Sequence, residues 1–201
     1  MTRLVLATGN SGKLKEFRDL FGELEVVLSP QSEFFDEQAE ETGKTFIENA
    51  LIKARFASSL TGLPALADDS GLEVAALGGA PGVWSARYAG PSATDADNIA
   101  KLLSELGRAT DRRAAFYCAI VGVRHPDDPT PLIGTGRWVG EIAESAAGAG
   151  GFGYDPVFLV PGTERSAAQL SRDEKRSRSH RGAAMRSLLP ELPGWVSGAL
   201  G

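Results

Sequence analysis

Two adjacent carboxylates, Asp68 and Asp69, follow the apolar run Ala65-Leu66-Ala67 and precede Ser70 and Gly71. Acids set so near an apolar strand are costly to desolvate unless something positive faces them. With an ordinary aspartate pKa of about 3.9, both are ionised at neutral pH unless crowding raises one. Such oxygen donors suit Mg²⁺, which keeps several waters and is completed by substrate phosphates. With 2 histidines (His125 and His180) and the single Cys118, the chain is poor in the ligands a zinc site requires. On this segment alone, a metal site and a surface turn capped by Asp and Ser stand level.

Other residues offer complementary chemistry. Thr8-Gly9-Asn10-Ser11-Gly12-Lys13 is a glycine loop between an apolar run and a helical pattern. Backbone amides and a helix dipole aimed at one spot suit a phosphate, and Lys13 adds positive charge. The spacing differs from a Walker loop, since Leu14 rather than Ser or Thr follows the lysine. Read alone, the loop also fits an ordinary strand-to-helix turn. Glu40 and Glu41 could lend a second carboxylate to a metal, or simply belong to a solvated acidic loop. Asn49 and Lys53, four apart, share one helix face. Phe152-Gly153-Tyr154-Asp155 sets aromatic rings beside a carboxylate, an arrangement for stacking a base or for plugging a core. The basic run Lys175 to Arg181 reads as a nucleic-acid patch or as a solvated helix face. Cys118, within an apolar strand, reads as inert packing.

These residues need elements to hold them. Leu4 to Ala7 has strand length and ends at the glycine turn, and Leu14, Phe17, Leu20 and Phe21 then recur at helical spacing. A second strand is expected over Glu25 to Leu28, and a loop from Gln31 to Gly43. Thr45 and Glu48 have capping-box spacing, which predicts a helix reaching Ser59 with Ile47, Ala50, Leu51 and Ala54 inward. Ala65 to Ala67 is expected to be a strand whose end delivers Asp68 and Asp69. Thr94 caps a further helix with Ile99, Leu102, Leu103 and Leu106 inward. Ala114 to Val123 reads as a central buried strand, joined through the turn 126–131 to a partner over Leu132 to Ile142. Val157 to Val160 follows the second glycine cluster. A last helix starts at Ser171, again with a capping box, and breaks near Ser179. Mixed strands and helices give an α/β class with a mixed sheet.

Composition narrows the classes. A chain of 201 residues, 42% hydrophobic and 23% charged, is long enough for one substantial core or for two small lobes sharing one. No tract is long enough to cross a bilayer. The segment from Met1 to Leu6 runs into a strand without the apolar region of a signal peptide. One cysteine allows no internal disulfide and fits a reducing compartment, so a cytoplasmic protein is expected. A net charge of −5 offers no global attraction for nucleic acid.

Taken in order, several segments resemble the inosine triphosphate pyrophosphatase family: Leu6 to Lys13, Thr45 to Ala50, Ala67 to Leu72, Gly78 to Gly82, Ser85 to Tyr88, Gly150 to Pro156 and Ser179 to Gly182. They extend over nearly the whole chain. The resemblance implies an elongated mixed β-sheet with flanking helices, a single domain over residues 1–201, and two lobes around a central active-site cleft. It implies a homodimer acting on a small-molecule nucleoside triphosphate, with no nucleic-acid or membrane partner. ITP, dITP and XTP would be cut to monophosphate and pyrophosphate, cleansing the nucleotide pool of deaminated purines before they enter DNA and RNA. Asp69 would be the catalytic carboxylate and a Mg²⁺ ligand, with Glu40 as a further ligand and Asp68 in support. Thr8, Gly9, Asn10, Ser11, Gly12 and Lys13 would hold the triphosphate, and Lys53 and Ser70 would contact phosphates. Phe152, Gly153, Tyr154, Asp155, Lys175, His180 and Arg181 would form the nucleoside pocket, which makes the basic run a recognition element. Donors from His180 and Arg181 would pair with the 6-keto group that hypoxanthine and xanthine carry and adenine lacks. The rivals are a pyrophosphatase for modified pyrimidines or canonical-base analogues on a similar fold, and a nucleotide-binding module without catalysis.

Overall fold

The computed structural model describes residues 2–9, 13–15, 17 and 26–198. Its strands are β1 (Thr2–Leu6), β2 (Val26–Pro30), β3 (Ala65–Val74), β4 (Arg113–Val123), β5 (Leu132–Ile142) and β6 (Phe158–Leu159). They form one sheet in the order β2-β1-β3-β4-β5-β6. The sheet is mixed: β1 runs parallel to β2 and to β3, whereas β5 and β6 are antiparallel. The helices are α1 (Phe46–Thr61), α2 (Asp95–Leu106), α3 (Arg172–Arg178), α4 (His180–Leu188) and α5 (Leu192–Ser197). Lys13, Leu14, Lys15 and Phe17 are helical, while Leu20 and Phe21 of the expected first helix lie outside the described residues. Among the described residues, no helix is long and apolar enough to cross a membrane.

The chain divides into two compact units. The first comprises Met1–Asp69, Cys118–Gly136 and Arg181–Gly201. Here Leu4, Leu6, Leu66, Cys118 and Ile120 pack with Met185, Leu188 and Leu192. A second cluster joins Val5, Ala7, Ala65 and Ala67 to Ala54 and Ala57 of α1. Successive strand residues face opposite ways. Thus Leu66 and Asp68 turn to the side of α4, and Ala67 and Asp69 to the side of α1. The other unit comprises Ser70–Tyr117 and Arg137–His180. Its core gathers Leu72, Val74, Leu102, Leu106, Phe116, Trp138, Tyr154 and Phe158.

The expected helix caps are present. Thr45 and Glu48 form both bonds of a capping box, as do Thr94 with Asp97 and Ser171 with Glu174. The break before α4 falls at Ser179, whose backbone is extended (φ −68°, ψ 156°). The inward face of α1 differs from expectation. Ile47 is 36% exposed, and the buried positions are Phe46, Asn49, Ala50, Ala54, Ala57 and Ser58. Small side chains let the helix backbone approach the sheet, which turns the branched Ile47 outward. The strand expected over Val157 to Val160 shortens to two residues, because Asp155–Val157 close a 3₁₀ turn first.

Asp68 and Asp69 do not end a strand; β3 continues through Ser70 to Val74. Leu72 and Val74 are fully buried, so alternate apolar burial sustains the strand beyond the acids. The surface-turn reading of the segment is thereby overturned.

Candidate active site

The first unit concentrates charge around β3. Asp68 is 1% exposed and Asp69 7%. On one face, the Asp68 Oδ2 lies 3.0 Å from Lys13 Nζ and 3.4 Å from Arg181 Nε. Arg181 is itself 2% exposed, so an otherwise costly buried guanidinium and a buried carboxylate compensate one another. Burial alone would raise the Asp68 pKa, but the charges of Lys13, Arg181 and Lys53 outweigh it and hold the carboxyl well below its usual range. Cys118 contacts the same carboxylate at 3.9 Å, and burial with that negative neighbour pushes its thiol up to about 12. A thiol so protonated is not a nucleophile.

On the opposite face, Lys53 Nζ donates to Asp69 Oδ1 at 3.0 Å and to Glu41 Oε1 at 2.8 Å. Asn49 Nδ2 donates to Asp69 Oδ2 at 3.2 Å. One turn of α1 therefore supplies both partners of Asp69, as the four-residue spacing predicts. Burial raises the Asp69 pKa, against the opposing pull of Lys53 and Lys13. Desolvation alone would lower the Lys53 pKa, yet Asp69, Asp68 and Glu41 keep it raised and the amine charged. Two neighbouring carboxyls thus have pKa values pushed in opposite directions, an arrangement typical of acid–base sites.

Fit to a cation can be judged from this geometry. Among the described residues, no three His, Cys, Asp or Glu side chains converge as a self-sufficient metal cage. Asp69 and Glu41 nevertheless both reach the one ammonium of Lys53. That ammonium marks a point where two carboxylate oxygens meet a positive charge. Mg²⁺ is commonly held by one or two carboxylates plus substrate phosphates, so this donor set fits it. Glu40, the ligand the resemblance implied, is exposed, while Glu41 next to it is half-buried beside Lys53.

Thr8 and Gly9 follow β1 and line a cavity of 240 Å³ with Leu14, Gln31, Phe35 and Gln38. Asn10, Ser11 and Gly12 lie outside the described residues.

The second unit assembles a different group. Lys175 Nζ donates to Asp155 Oδ2 at 2.6 Å and stands 4.8 Å from the centre of the Phe152 ring. Asp155 also accepts the Phe152 N–H at 2.9 Å. Gly151, at φ +76°, permits this: an added Cβ would lie 2.1 Å from Asp155 Oδ2. Gly153 is half-buried, and its N–H donates to Asp95 Oδ2 at 2.6 Å. Tyr154 turns inward instead, 3% exposed, with its hydroxyl donating to the Ser85 carbonyl at 2.9 Å. His180 is buried and stacks on Phe116 at 4.8 Å with planes 14° apart. Ser70 is half-buried in β3. Lys13, Lys53, Asp69 and Arg181 are therefore gathered in one unit, and Phe152, Asp155 and Lys175 in the other. Sequence reasoning left out three partners. Asn49 was visible only as a neighbour of Lys53, Glu41 only as an alternative to Glu40, and Asp95, far from Gly153 in the chain, gave no local signal.

Among the described residues, then, the chain is an α/β protein with a mixed sheet whose adjacent buried carboxylates, Asp68 and Asp69, are answered by Lys13, Lys53 and Arg181. The chain belongs to the Ham1 family, whose profile matches residues 4–191. A dITP/XTP pyrophosphatase from Erwinia tasmaniensis is 56% identical over 96% of this chain and 95% of that protein. One from Yersinia pestis is 54% identical over 96% and 98%. Among solved structures, a HAM1 protein from Coxiella burnetii superposes with a TM-score of 0.90 at 52% identity, covering 96% of this chain and 99% of that one. The Staphylococcus aureus Ham1 protein gives 0.86 at 43% identity, covering 96% and 100%.

Proposed function

We propose that this chain is a nucleoside-triphosphate pyrophosphatase that hydrolyses dITP, ITP and XTP to the monophosphate and pyrophosphate, removing deaminated purines from the nucleotide pool. The observation that carries the reading is the Asp68–Asp69 pair, buried in mid-strand and answered by Lys13, Lys53 and Arg181. Identity above one half over nearly the full length of named dITP/XTP pyrophosphatases supports it.

Asp69 is the base in this scheme. Its carboxylate orients a water for attack on the α-phosphorus and takes its proton, and burial helps by lifting its affinity for a proton. Asp68, held ionised by Lys13 and Arg181, anchors the cations behind it. Lys13 and Lys53 neutralise the phosphates and favour departure of pyrophosphate. A divalent cation, Mg²⁺, would be held by Asp69 and Glu41 and would supply charge neutralisation on the leaving group. Thr8 to Lys13 and Ser70 contact the triphosphate. Phe152 offers a ring for the base, and Lys175 and Asp155 offer a donor and an acceptor to its edge. The enzyme works in the cytoplasm as a homodimer.

The test is incubation with Mg²⁺ and dITP, ITP, XTP, GTP or ATP, with pyrophosphate and orthophosphate measured separately. Pyrophosphate release with preference for the deaminated purines is expected. Release of orthophosphate, or equal turnover of ATP, overturns the proposal.

A further inference from the structure

Asn49 has no part in the scheme above, yet it touches the catalytic carboxylate. Its side chain is fully buried in α1, and a buried carboxamide costs free energy unless its donors and acceptor are used. Both ends are used, and by different segments. Its Oδ1 accepts the Gly43 N–H at 2.9 Å, and its Nδ2 donates to Asp69 Oδ2 at 3.2 Å. The other Asp69 oxygen accepts from Lys53 at 3.0 Å. Two residues one helical turn apart therefore hold the two oxygens of Asp69, which fixes the plane of the carboxylate.

The Gly43 end has a second consequence. Gly43 lies two residues beyond Glu41, the acid that shares Lys53 with Asp69. A Cβ on Gly43 would stand 2.7 Å from Asn49 Oδ1 and 2.6 Å from Glu48 Cβ, so only glycine brings that N–H so close. An aspartate at position 49 would offer no donor at neutral pH and would set another acid against Asp69. Leucine would fill the space but leave the Gly43 N–H and Asp69 without the amide.

We propose that Asn49 is a positioning residue: its carboxamide orients Asp69 and fastens the Glu41 segment in register with it, so that both acids face one cation. This rests on the pyrophosphatase reading, with Asp69 as base.

Three variants test it: N49A, N49D and G43A, the last disturbing the same contact from the loop. Each is assayed for XTP turnover, for Mg²⁺ affinity by calorimetry without nucleotide, and for thermal unfolding. Partners that orient a metal ligand typically carry a 10- to 100-fold effect, so kcat should fall by about that factor in N49A and G43A, with KM for XTP within about two-fold. Mg²⁺ affinity should weaken in both, and N49D should show no recovery of kcat. A space-filling role predicts the reverse, a lowered unfolding temperature with kcat and Mg²⁺ affinity retained, and that result overturns the proposal. If N49A does not fold, G43A decides: unchanged kcat and Mg²⁺ affinity refute the role of Asn49. Should the parent protein release no pyrophosphate from XTP, the pyrophosphatase reading fails, and Mg²⁺ calorimetry still judges Asn49.

Discussion

Replacing Arg181 with methionine separates two roles for that side chain. The resemblance assigns it to the base of the nucleotide, but the structure buries it against Asp68 with the guanidinium Nε 3.4 Å from Oδ2. At that separation, two unit charges in an effective dielectric of about 20 attract by about 5 kcal/mol. Desolvation of both groups offsets much of this in the native protein. Removing one partner is different, because it leaves the other charge buried with less compensation and costs about 3–5 kcal/mol. Lys13, still 3.0 Å away, keeps the expected loss at the lower end, about 3 kcal/mol, or roughly 6–12 °C in Tm for a chain of this size. The assay is urea unfolding of R181M, D68N and the double variant, followed by fluorescence of Trp138 and Trp195. Since Asp68 and Arg181 touch, the double variant should cost less than the sum of the singles by about 1 kcal/mol or more. The reasoning is refuted if R181M unfolds within about 1 kcal/mol of the parent and the two substitutions simply add.

Other outcomes follow from the same geometry. D69N should lower kcat by about 10²–10⁴-fold, the usual range for a general base. Because burial already opposes its charge, D69N should keep the parent's far-UV circular dichroism and lose little in Tm. Stability should fall in acid. The folded pKa values of Asp68 and Asp128 are depressed, so their contribution is full above the unfolded value of about 3.9, begins to fall near it, and is lost progressively as pH drops on through the folded values. Urea midpoints at pH 7 and pH 3.5 should differ less in D128N, which lacks the carboxylate that Arg124 and Thr130 grip. Finally, Y154F should cost about 1–2 kcal/mol by leaving the buried Ser85 carbonyl without its donor, with KM for XTP unchanged in steady-state assays if the ring serves the core.

Much of the fold was legible because its signals are local. A capping box needs only a side chain and an amide three residues apart, so Thr45, Thr94 and Ser171 announced their helices. The strand Leu132 to Ile142 was legible as the partner that the turn 126–131 returns to the apolar run before it, and its buried and exposed positions alternate along the whole strand. Failure came where a long-range partner changed the local balance. Asp68 and Asp69 looked like the end of a strand, because two acids are normally incompatible with a buried one. Lys13, Lys53, Asn49 and Arg181 make that burial tolerable, and they come from positions 16 to 113 residues away.

By itself the sequence determined the α/β class, the family, and the set of residue types available for phosphate and cation chemistry, since composition, spacing and motif order are properties of the chain alone. Only the tertiary structure decided which partners those residues take. It put Glu41 rather than Glu40 beside Lys53, sent Tyr154 into the core, and committed Arg181 to Asp68. Such choices depend on charges and rings brought together across the sheet, where low dielectric and close packing make a partner's distance decisive.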